Sequence, residues 1–439
     1  MLLQFSVENF RSIKDRQVLD LVPSRERHHA SNVFDADSAR ALKAVGIYGA
    51  NASGKSNLIR AFHVMESIVR RSATKMNVGD KITPITPFRL LPQTIDQPTS
   101  FEIQVVIEGD LYIYGFAATK ELIEAEWLSV RKKKGRLTSW FKRSGQSEDW
   151  SIGGDLKKKK DQRLLRENTR ENGLVLSRGA ELNVEPLIPL YLWFKKNFFV
   201  LDLSFPPRGL AFSTAERAHK SEEFRDRVTN FLRNADFGIS GIQVTEGAKN
   251  TPREAIPTDA PKEVRTFLES LNKLMDTGVA SEITVATEHR VVNGNIDEGV
   301  TFDLERDESN GTQRFFALAN PILSALDDGD LLVIDELDCS IHPMLTRKIV
   351  ELFLSEEHNK NGAQLVFVTH DSSLLDAKML RRDQVWFAEK KENGSSEFFS
   401  LADFEVPPRK NEAFERRYLE GRYGGVPKFG PEFDALGAE

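Results

Sequence analysis

Cysteine is almost absent from this chain of 439 residues, and so are long hydrophobic runs. The single cysteine, Cys339, excludes an internal disulfide framework and a zinc site built from several cysteines. No apolar run approaches the roughly 20 residues that a membrane-spanning helix needs. Glu8 interrupts the N-terminal segment too early for a signal peptide. We therefore expect a cytoplasmic protein without a membrane partner.

An excess of positive charge is also missing. The chain carries 60 Lys and Arg against 66 Asp and Glu, a formal net charge of -6. This balance excludes a protein that covers nucleic acid with its whole surface. Two local basic segments, residues 131–136 and 157–166, stand out from it. The simplest interpretation is a solvated turn and a solvated helix face, while contact with DNA or RNA stays open.

The chain does contain a complete phosphate-loop pattern. Residues 49–56 read G-A-N-A-S-G-K-S, which satisfies G-x-x-x-x-G-K-[ST]. An apolar run at 44–48 predicts a buried strand before the loop, and helical spacing of apolar residues follows it. In this arrangement backbone N–H groups and a helix N-terminus surround a polyphosphate. Lys55 is expected at the β- and γ-phosphates and Ser56 on Mg²⁺. The predicted nucleotide-binding residues of the loop are Gly49, Asn51, Ser53, Gly54, Lys55 and Ser56.

Two later apolar strands end in polar residues suited to catalysis. Residues 331–334 lead into Asp335 and Glu336, and residues 364–368 lead to His370. Ligands of parallel sheets bind at the carboxyl ends of the strands. Asp335 is therefore expected to hold the Mg²⁺ hydration shell and Glu336 to polarise the attacking water. A lone histidine is more often structural, but the place of His370 after the acid pair favours a contact with the γ-phosphate.

A second helix start lies between these elements. Ser309 and Gly311 precede apolar residues with helical spacing from Phe315. Such a helix N-terminus attracts anions, although an ordinary cap formed by Ser309 or Asn310 gives the same pattern. Because a phosphate loop already surrounds its own ligand, we expect Ser309 and Gly311 to face the nucleotide of a second copy of the chain.

The remaining patterns predict an α/β protein. We expect a hairpin across Gly109-Asp110, a helix from Ser213 to about Asn234, another helix over about 263–275, and a hairpin over Asn293-Gly294. The predicted division is an N-terminal ATPase lobe (1–130), an α+β insertion (131–280) and a C-terminal ATPase lobe (281–439).

The order of the motifs resembles that of a known family. The N-F-R-S segment at 9–12, the phosphate loop, the 309–314 segment, Asp335-Glu336 and His370 follow one another as in the ABC-type ATPase heads of the SMC, RecF and OLD group. Segments 126–128, 338–343 and 418–424 more closely resemble bacterial AAA family ATP-binding proteins of phage-defence and abortive-infection operons. The resemblance implies an ABC-ATPase head, in which a mixed sheet carries the phosphate-loop core beside an antiparallel β subdomain, with a mixed α+β insertion. It further implies ATP and Mg²⁺ as cofactors, with the nucleotide held between residues 49–56 of one subunit and Ser309 and Gly311 of another.

Some positions depart from the family pattern. Thr312 falls where the ABC heads have Gln or Glu, and His342 falls where many have Asp. Gln93 and Gln104 are candidates for the glutamine that senses Mg²⁺. These departures leave ATP binding intact and put the hydrolysis rate, and its coupling to dimerisation, in question.

Three kinds of ATPase compete. A transporter subunit fits least, because of the insertions and the N-F-R-S strand. A RecF- or SMC-like repair ATPase that binds DNA stays open, although no long coiled coil is present. We expect an ATP-hydrolysing sensor and scaffold of a two-component anti-phage system. It would form a homodimer or higher homo-oligomer and control a separate toxic effector, expected to be a nuclease, in response to a phage-encoded trigger. The 69 residues after His370 (439 − 370) lack a spaced acidic cluster, and Asp327-Asp328-Gly329-Asp330 is interpreted as a solvated turn.

Overall fold

The computed structural model of the protein describes residues 1–36, 39–145, 150–203, 208–248, 281–293, 296–404 and 412–427. Two compact units make up the chain: residues 1–205 with 324–439, and residues 206–323. In chain order, the strands are β1 (Leu2–Glu8), β2 (Gln17–Asp20), β3 (Val33–Ala36), β4 (Ala39–Leu42), β5 (Ala44–Gly49), β6 (Thr99–Ile107), β7 (Asp110–Ala118), β8 (Ile123–Arg131), β9 (Leu137–Ser144), β10 (Ser151–Ile152), β11 (Phe198–Asp202), β12 (Ile239–Ala248), β13 (Ser281–Asn293), β14 (Ile296–Asp303), β15 (Leu331–Asp335), β16 (Gln364–Val368), β17 (Val385–Lys390) and β18 (Ser396–Ser400). The α-helices are α1 (Lys55–Arg71), α2 (Lys159–Asn168), α3 (Val175–Glu181), α4 (Ile188–Lys196), α5 (Arg208–Lys220), α6 (Glu222–Arg233), α7 (Asn310–Asp328), α8 (Pro343–Leu354) and α9 (Phe414–Leu419).

A six-stranded mixed sheet forms the core of the first unit. Its order is β11-β15-β16-β5-β17-β18; the first five strands are parallel and β18 is antiparallel to β17. Every residue of β5, β15 and β16 is buried, which is typical of strands covered on both faces. Helix α1 packs on one face, where Phe62 meets Phe198 edge-on at 5.9 Å between ring centroids. The carboxyl ends of β5, β15 and β16 therefore lie along one edge of the sheet.

A seven-stranded antiparallel sheet, ordered β10-β9-β8-β7-β6-β1-β2, completes the predicted pair of sheets in this unit. The predicted hairpin between β6 and β7 is present, but its turn is Glu108-Gly109, one residue earlier than expected. Both turn residues have positive φ, 51° and 89°, as a type I′ turn requires. The α/β fold class and its antiparallel subdomain are thus confirmed.

A buried carboxylate ties this antiparallel sheet to helix α3. Glu126 on β8 is fully buried. Its Oε1 accepts hydrogen bonds from Tyr114 Oη and Leu176 N, each at 3.0 Å, and its Oε2 accepts one from Val175 N at 2.6 Å. Val175 and Leu176 open α3, so Glu126 satisfies N–H groups that the helix itself leaves unpaired. Burial raises the pKa of Glu126.

We expect Glu126→Gln to lower the free energy of unfolding by about 1–3 kcal/mol. The NH₂ group of glutamine cannot accept a hydrogen bond, so one of the buried N–H groups that now donate to Glu126 would lose its acceptor. Urea unfolding followed by tryptophan fluorescence measures the change. Glu121→Gln, in the exposed turn before β8, is the matched control and should leave the midpoint unchanged. Equal midpoints for the two variants would contradict the capping role.

The second unit is a mixed α+β structure. Helices α5 and α6 and the three-stranded sheet β12-β13-β14 belong to it, together with the first part of α7. The hairpin predicted over 283–304 is confirmed by β13 and β14. The single helix predicted from Ser213 to about Asn234 is wrong. Helix α5 already includes Arg208, and Ser221 separates it from a second helix, α6. Ser221 Oγ accepts from Phe224 N at 3.1 Å, because serine favours the N-cap of a new helix. The helix predicted over 263–275 lies outside the described residues.

The two units divide the chain differently from the three predicted segments. The predicted boundary after residue 130 separates β8 from β9, yet these strands pair along most of their lengths in one sheet. The core sheet also takes β11 from the predicted insertion.

None of the helices that the structure describes combines the length and the hydrophobicity of a membrane span.

Candidate functional site

The phosphate loop connects β5 to α1, as predicted. Gly49 and Gly54 adopt φ values of 152° and 107°, which favour glycine. A Cβ at Gly49 would meet the carbonyl oxygen of Ala388, and one at Gly54 would meet the hydroxyl of Ser396. Both glycines are thus required by conformation and by space. Helix α1 begins at Lys55 without a side-chain cap, so its N-terminal dipole points at the loop.

Lys55 and Ser53 show that the loop suits an anionic ligand. The Lys55 side chain is buried, and its Nζ donates to Gly49 O at 2.7 Å and Ala50 O at 3.0 Å. Burial lowers the pKa of Lys55 to about 8, although nearby carboxylates oppose this shift. Ser53 Oγ is buried without a hydrogen-bond partner in the described structure. An unsatisfied hydroxyl and a buried ammonium group in one loop fit the oxygens of a phosphate group.

The N-F-R-S segment singled out in the sequence packs directly on this loop. Ser12 Oγ accepts from Asn57 Nδ2 and from Ser396 Oγ, both at 2.7 Å. A Cβ at Gly54 would also come within 2.8 Å of Ser12 Oγ. Neighbouring Arg11 has its pKa lowered by burial and by the charges of Arg60 and Arg89. The segment therefore supports the end of the loop and adds positive charge beside it.

The acidic end of β15 meets the start of α1. Ser56 Oγ donates to Asp335 Oδ1 at 3.3 Å, and burial raises the pKa of Asp335 to about 6, with the charges of Asp202 and Glu336 adding to the effect. A hydroxyl and a carboxylate in contact are ligands that Mg²⁺ accepts. The structure thus brings together the two predicted metal residues, Ser56 and Asp335.

Asp202 is a candidate that the sequence patterns did not reveal. It ends β11 and pairs in register with Asp335 on the neighbouring parallel strand, so the two side chains leave the sheet on the same face. Gln93 and Gln104, the two candidates from sequence, lie instead in the short 3-10 turn Pro92–Thr94 and in β6, outside the core sheet. The pattern F-F-V-L-D at 198–202 could have indicated the site, since it is another apolar strand that ends in an acid.

Glu336 and His370 follow the ends of adjacent strands. Glu336 is half-buried and has a φ of 56°, an uncommon conformation for a residue with a side chain. The backbone N–H of His370 donates to both carboxylate oxygens of Asp338, at 3.2 and 3.3 Å. His370 is exposed on its outer side. The protein groups around its inner side partly desolvate the imidazole, and this desolvation, followed by the charge of Lys55, lowers the pKa of His370.

Ser309 and Gly311 lie in the second unit, at the start of α7. Ser309 Oγ accepts from Thr312 N at 3.1 Å and contacts Thr312 Oγ1 at 2.9 Å, so Ser309 caps the helix. The ordinary-cap interpretation is therefore correct for Ser309, and it leaves the positive end of the helix dipole in place. Thr312, which departs from the family pattern, is buried as the partner of this cap. His342 likewise caps α8, accepting from Met344 N at 3.2 Å.

The acidic run at 327–330 ends helix α7 in the first unit. Gly329, with a φ of 73°, closes the helix, and Asp330 is buried with Oδ1 accepting from Asn197 Nδ2 at 2.7 Å. Asp330 is thus not the solvated residue that was predicted, because β15 begins directly after it. Within the described ranges, no group of three or more His, Cys, Asp or Glu side chains could hold a metal ion.

Asp330 should make the stability of the protein depend on pH. Burial raises its pKa to about 6, so the folded chain binds more protons than the unfolded chain between about pH 4 and 6. Stability then falls as the pH rises through this window. We expect Asp330→Asn to be more stable than the wild type by on the order of 1–3 kcal/mol above pH 6, with the difference vanishing near pH 4. Urea unfolding at several pH values tests this, with exposed Asp15→Asn as the control; a pH-independent difference would contradict it.

The chain is similar to a known protein family and to several solved structures. Residues 44–376 match a family described as "AAA domain, putative AbiEii toxin, Type IV TA system". The search of curated proteins gave no match. Among solved structures, the chain is similar to the SMC head domain from Thermotoga maritima (13% identity, TM-score 0.37, covering 92% of this chain and 99% of that one). It is also similar to two structures of the recombination mediator RecF (13% and 15% identity, TM-score 0.30 for both, covering 91% of this chain and 98% and 97% of the others). The family predicted from the motifs is confirmed, and since the match spans well over half of the chain, the protein belongs to this AAA-domain family.

Proposed function

We propose that the protein binds ATP and hydrolyses it to ADP and phosphate, and that it acts as the sensor and scaffold of a two-component anti-phage system. The observation that supports the ATPase activity best is the contact between Ser56 Oγ and Asp335 Oδ1, 3.3 Å apart. Through this contact, a loop that fits phosphate and a strand that ends in two acids form one site.

The side chains of this site divide into groups with different roles. Lys55 binds the β- and γ-phosphates, while Ser56, Asp335 and the neighbouring Asp202 would hold Mg²⁺. When bound, Mg²⁺ would neutralise negative charge on the phosphates. Glu336 accepts a proton from the attacking water and orients it. His370 donates to an oxygen of the γ-phosphate.

The site is completed by a second copy of the chain. The capped N-terminus of α7 carries Ser309 and Gly311, and its dipole favours an anion. We infer that this helix of one subunit binds the γ-phosphate held by the phosphate loop of another. ATP would then favour a homodimer or a higher homo-oligomer, and hydrolysis would release it.

The output of the cycle is control of a separate toxic effector, which we infer to be a nuclease, in response to a phage-encoded trigger. The family description names a putative AbiEii toxin and a type IV toxin–antitoxin system, which supports a system of two components. The alternative is a RecF- or SMC-like ATPase that binds DNA through the basic segments 131–136 and 157–166. A repair role predicts that phage protection does not depend on the neighbouring gene.

The test is a phage challenge of cells that carry this gene with its neighbour. Protection should be lost in Lys55→Ala and in Glu336→Gln, while Glu357→Gln, an exposed acid after α8, keeps it. Light scattering of the purified Glu336→Gln protein should show a dimer or larger species with ATP. Full protection in both site variants would overturn the ATP-driven function, and an unchanged mass would overturn the shared site.

Asp202→Asn should raise the Mg²⁺ concentration needed for half-maximal ATPase activity about 10- to 100-fold, the usual cost of losing a partner of a metal site. Mn²⁺ binding, followed by electron paramagnetic resonance in the presence of ADP, gives a second readout that does not need turnover. Asp155→Asn, which alters a surface carboxylate paired with Lys132, serves as the control. Unchanged Mn²⁺ affinity in Asp202→Asn would remove this residue from the metal site.

A further inference from the structure

A groove of about 400 Å³ lies in the first unit, at the end of α1 far from the phosphate loop. The last turns of α1 and the segment after it line one side, and the end of α4 lines another. The third side is strand β11, over residues 198–201. The nucleotide-binding residues named above do not line this groove.

The groove is positively charged although the whole protein is acidic. Arg70, Arg71, Lys75 and Lys195 line it and are exposed. Glu66 is the acidic residue in the lining, and it is ion-paired with Arg70. The groove therefore offers several cationic groups to a ligand with negative charge.

Strand β11 forms an edge of the core sheet. Asn197 O accepts from Leu331 N at 2.9 Å, and Leu203 N donates to Asp335 O at 3.3 Å, so odd-numbered residues turn their backbone groups toward β15. Val200, in the middle of the strand and partly exposed in the groove, consequently turns its N–H and C=O away from β15. In the ranges that the structure describes, no strand pairs with β11 on that side. Such an edge is a template for an added strand.

We propose that this groove is the docking site for an extended, acidic peptide segment of a partner protein. The segment adds to the sheet beside β11, and its carboxylates lie against Arg71, Lys75 and Lys195. A nucleic-acid backbone would match the charge equally well, but it would leave the outward N–H and C=O of Val200 unpaired. Strand addition uses both features of the groove, because main-chain hydrogen bonds give affinity and the side chains give specificity.

The groove is connected to the nucleotide site by two rigid elements. Helix α1 starts with Lys55 and Ser56 and ends with Arg70 and Arg71, while β11 lines the groove and ends at Asp202 beside Asp335. A shift of either element on nucleotide binding would reach the groove directly. A partner protein is part of the proposed function, on which this docking surface therefore depends.

The experiment uses the full chain and a fluorescein-labelled decapeptide of alternating Glu and Val, with fluorescence anisotropy as the readout. We expect binding, and at least a tenfold loss of affinity in Arg71→Glu/Lys195→Glu. The control Lys134→Glu/Arg136→Glu, with the same charge change in the exposed β8–β9 turn, should bind normally. Val200→Pro removes one outward N–H from an edge strand, where proline is tolerated, and should weaken binding by a similar factor with an unchanged circular dichroism spectrum.

Three results would overturn the proposal. One is a dissociation constant above 1 mM for the acidic peptide and the wild-type protein. Another is that a peptide with Lys in place of Glu binds the wild type with the same affinity. The third concerns a labelled single-stranded oligonucleotide. If the wild type binds it, the charge-reversal variant binds it more weakly and Val200→Pro binds it as the wild type does, the groove is a nucleic-acid surface.

Phosphate release is measured on the same proteins. Wild-type protein that hydrolyses ATP without binding the peptide refutes only the docking site, whereas peptide binding without hydrolysis refutes only the ATPase.

Discussion

Replacing Glu336 by Gln is expected to lower the ATP hydrolysis rate by about 10²–10⁴-fold, the usual contribution of a positioned general base. Glu336 directly follows Asp335 at the end of β15, and its charge acts on both Lys55 and His370. Glutamine keeps the size of the side chain but cannot take a proton from water at neutral pH. The affinity for ATP should stay within about threefold of the wild type, since Lys55 and Ser56 are untouched.

The measurement separates chemistry from binding. Single-turnover phosphate release gives the rate, and equilibrium binding of a fluorescent ATP analogue gives the affinity. Glu357→Gln makes the same chemical change at an exposed turn and should hydrolyse ATP at the wild-type rate. If Glu336→Gln retains more than about a tenth of the wild-type rate, another group activates the water, and the side chain of Glu336 is not the general base.

The parts of the site that were predictable are those that one short segment determines by itself. The phosphate loop needs glycine at 49 and 54 because of local backbone geometry, and the apolar strands at 331–335 and 364–368 need no knowledge of their neighbours. Ser221 also had a local signature, since serine followed by two glutamates suits a helix start. The helix break it causes was missed because the apolar spacing runs on through it.

The contribution of Asp202 could not be predicted in the same way, because it depends on strand order. The residue is 133 positions (335 − 202) from Asp335, and only the parallel pairing of β11 with β15 places the two carboxylates side by side. The buried state of Asp330 has a similar origin, since Asn197, directly before β11, supplies its hydrogen bond. Long-range pairing of this kind leaves no periodic signal in the sequence.

Lys55→Ala should weaken ATP binding by about 2–5 kcal/mol, which is a loss of roughly 30-fold to several thousand-fold in affinity. The ammonium group is buried and held by the carbonyl oxygens of Gly49 and Ala50. It is therefore already positioned, and little side-chain entropy is lost when it turns to a phosphate. Removing it also leaves the phosphate charges without their nearest compensating cation within the loop.

Lys43→Ala is the matched control for this effect. Lys43 is also buried, donates to Leu354 O at 3.4 Å, and directly precedes the same strand β5. Its loss should lower the thermal midpoint of unfolding, yet leave the affinity for ATP within about twofold of the wild type. Isothermal titration calorimetry with ATP and Mg²⁺ on both variants distinguishes the loss of the Lys55–phosphate contact from a general loss of stability. Equal losses of affinity in Lys43→Ala and Lys55→Ala would mean that destabilisation of β5, and not the missing phosphate contact, weakens binding.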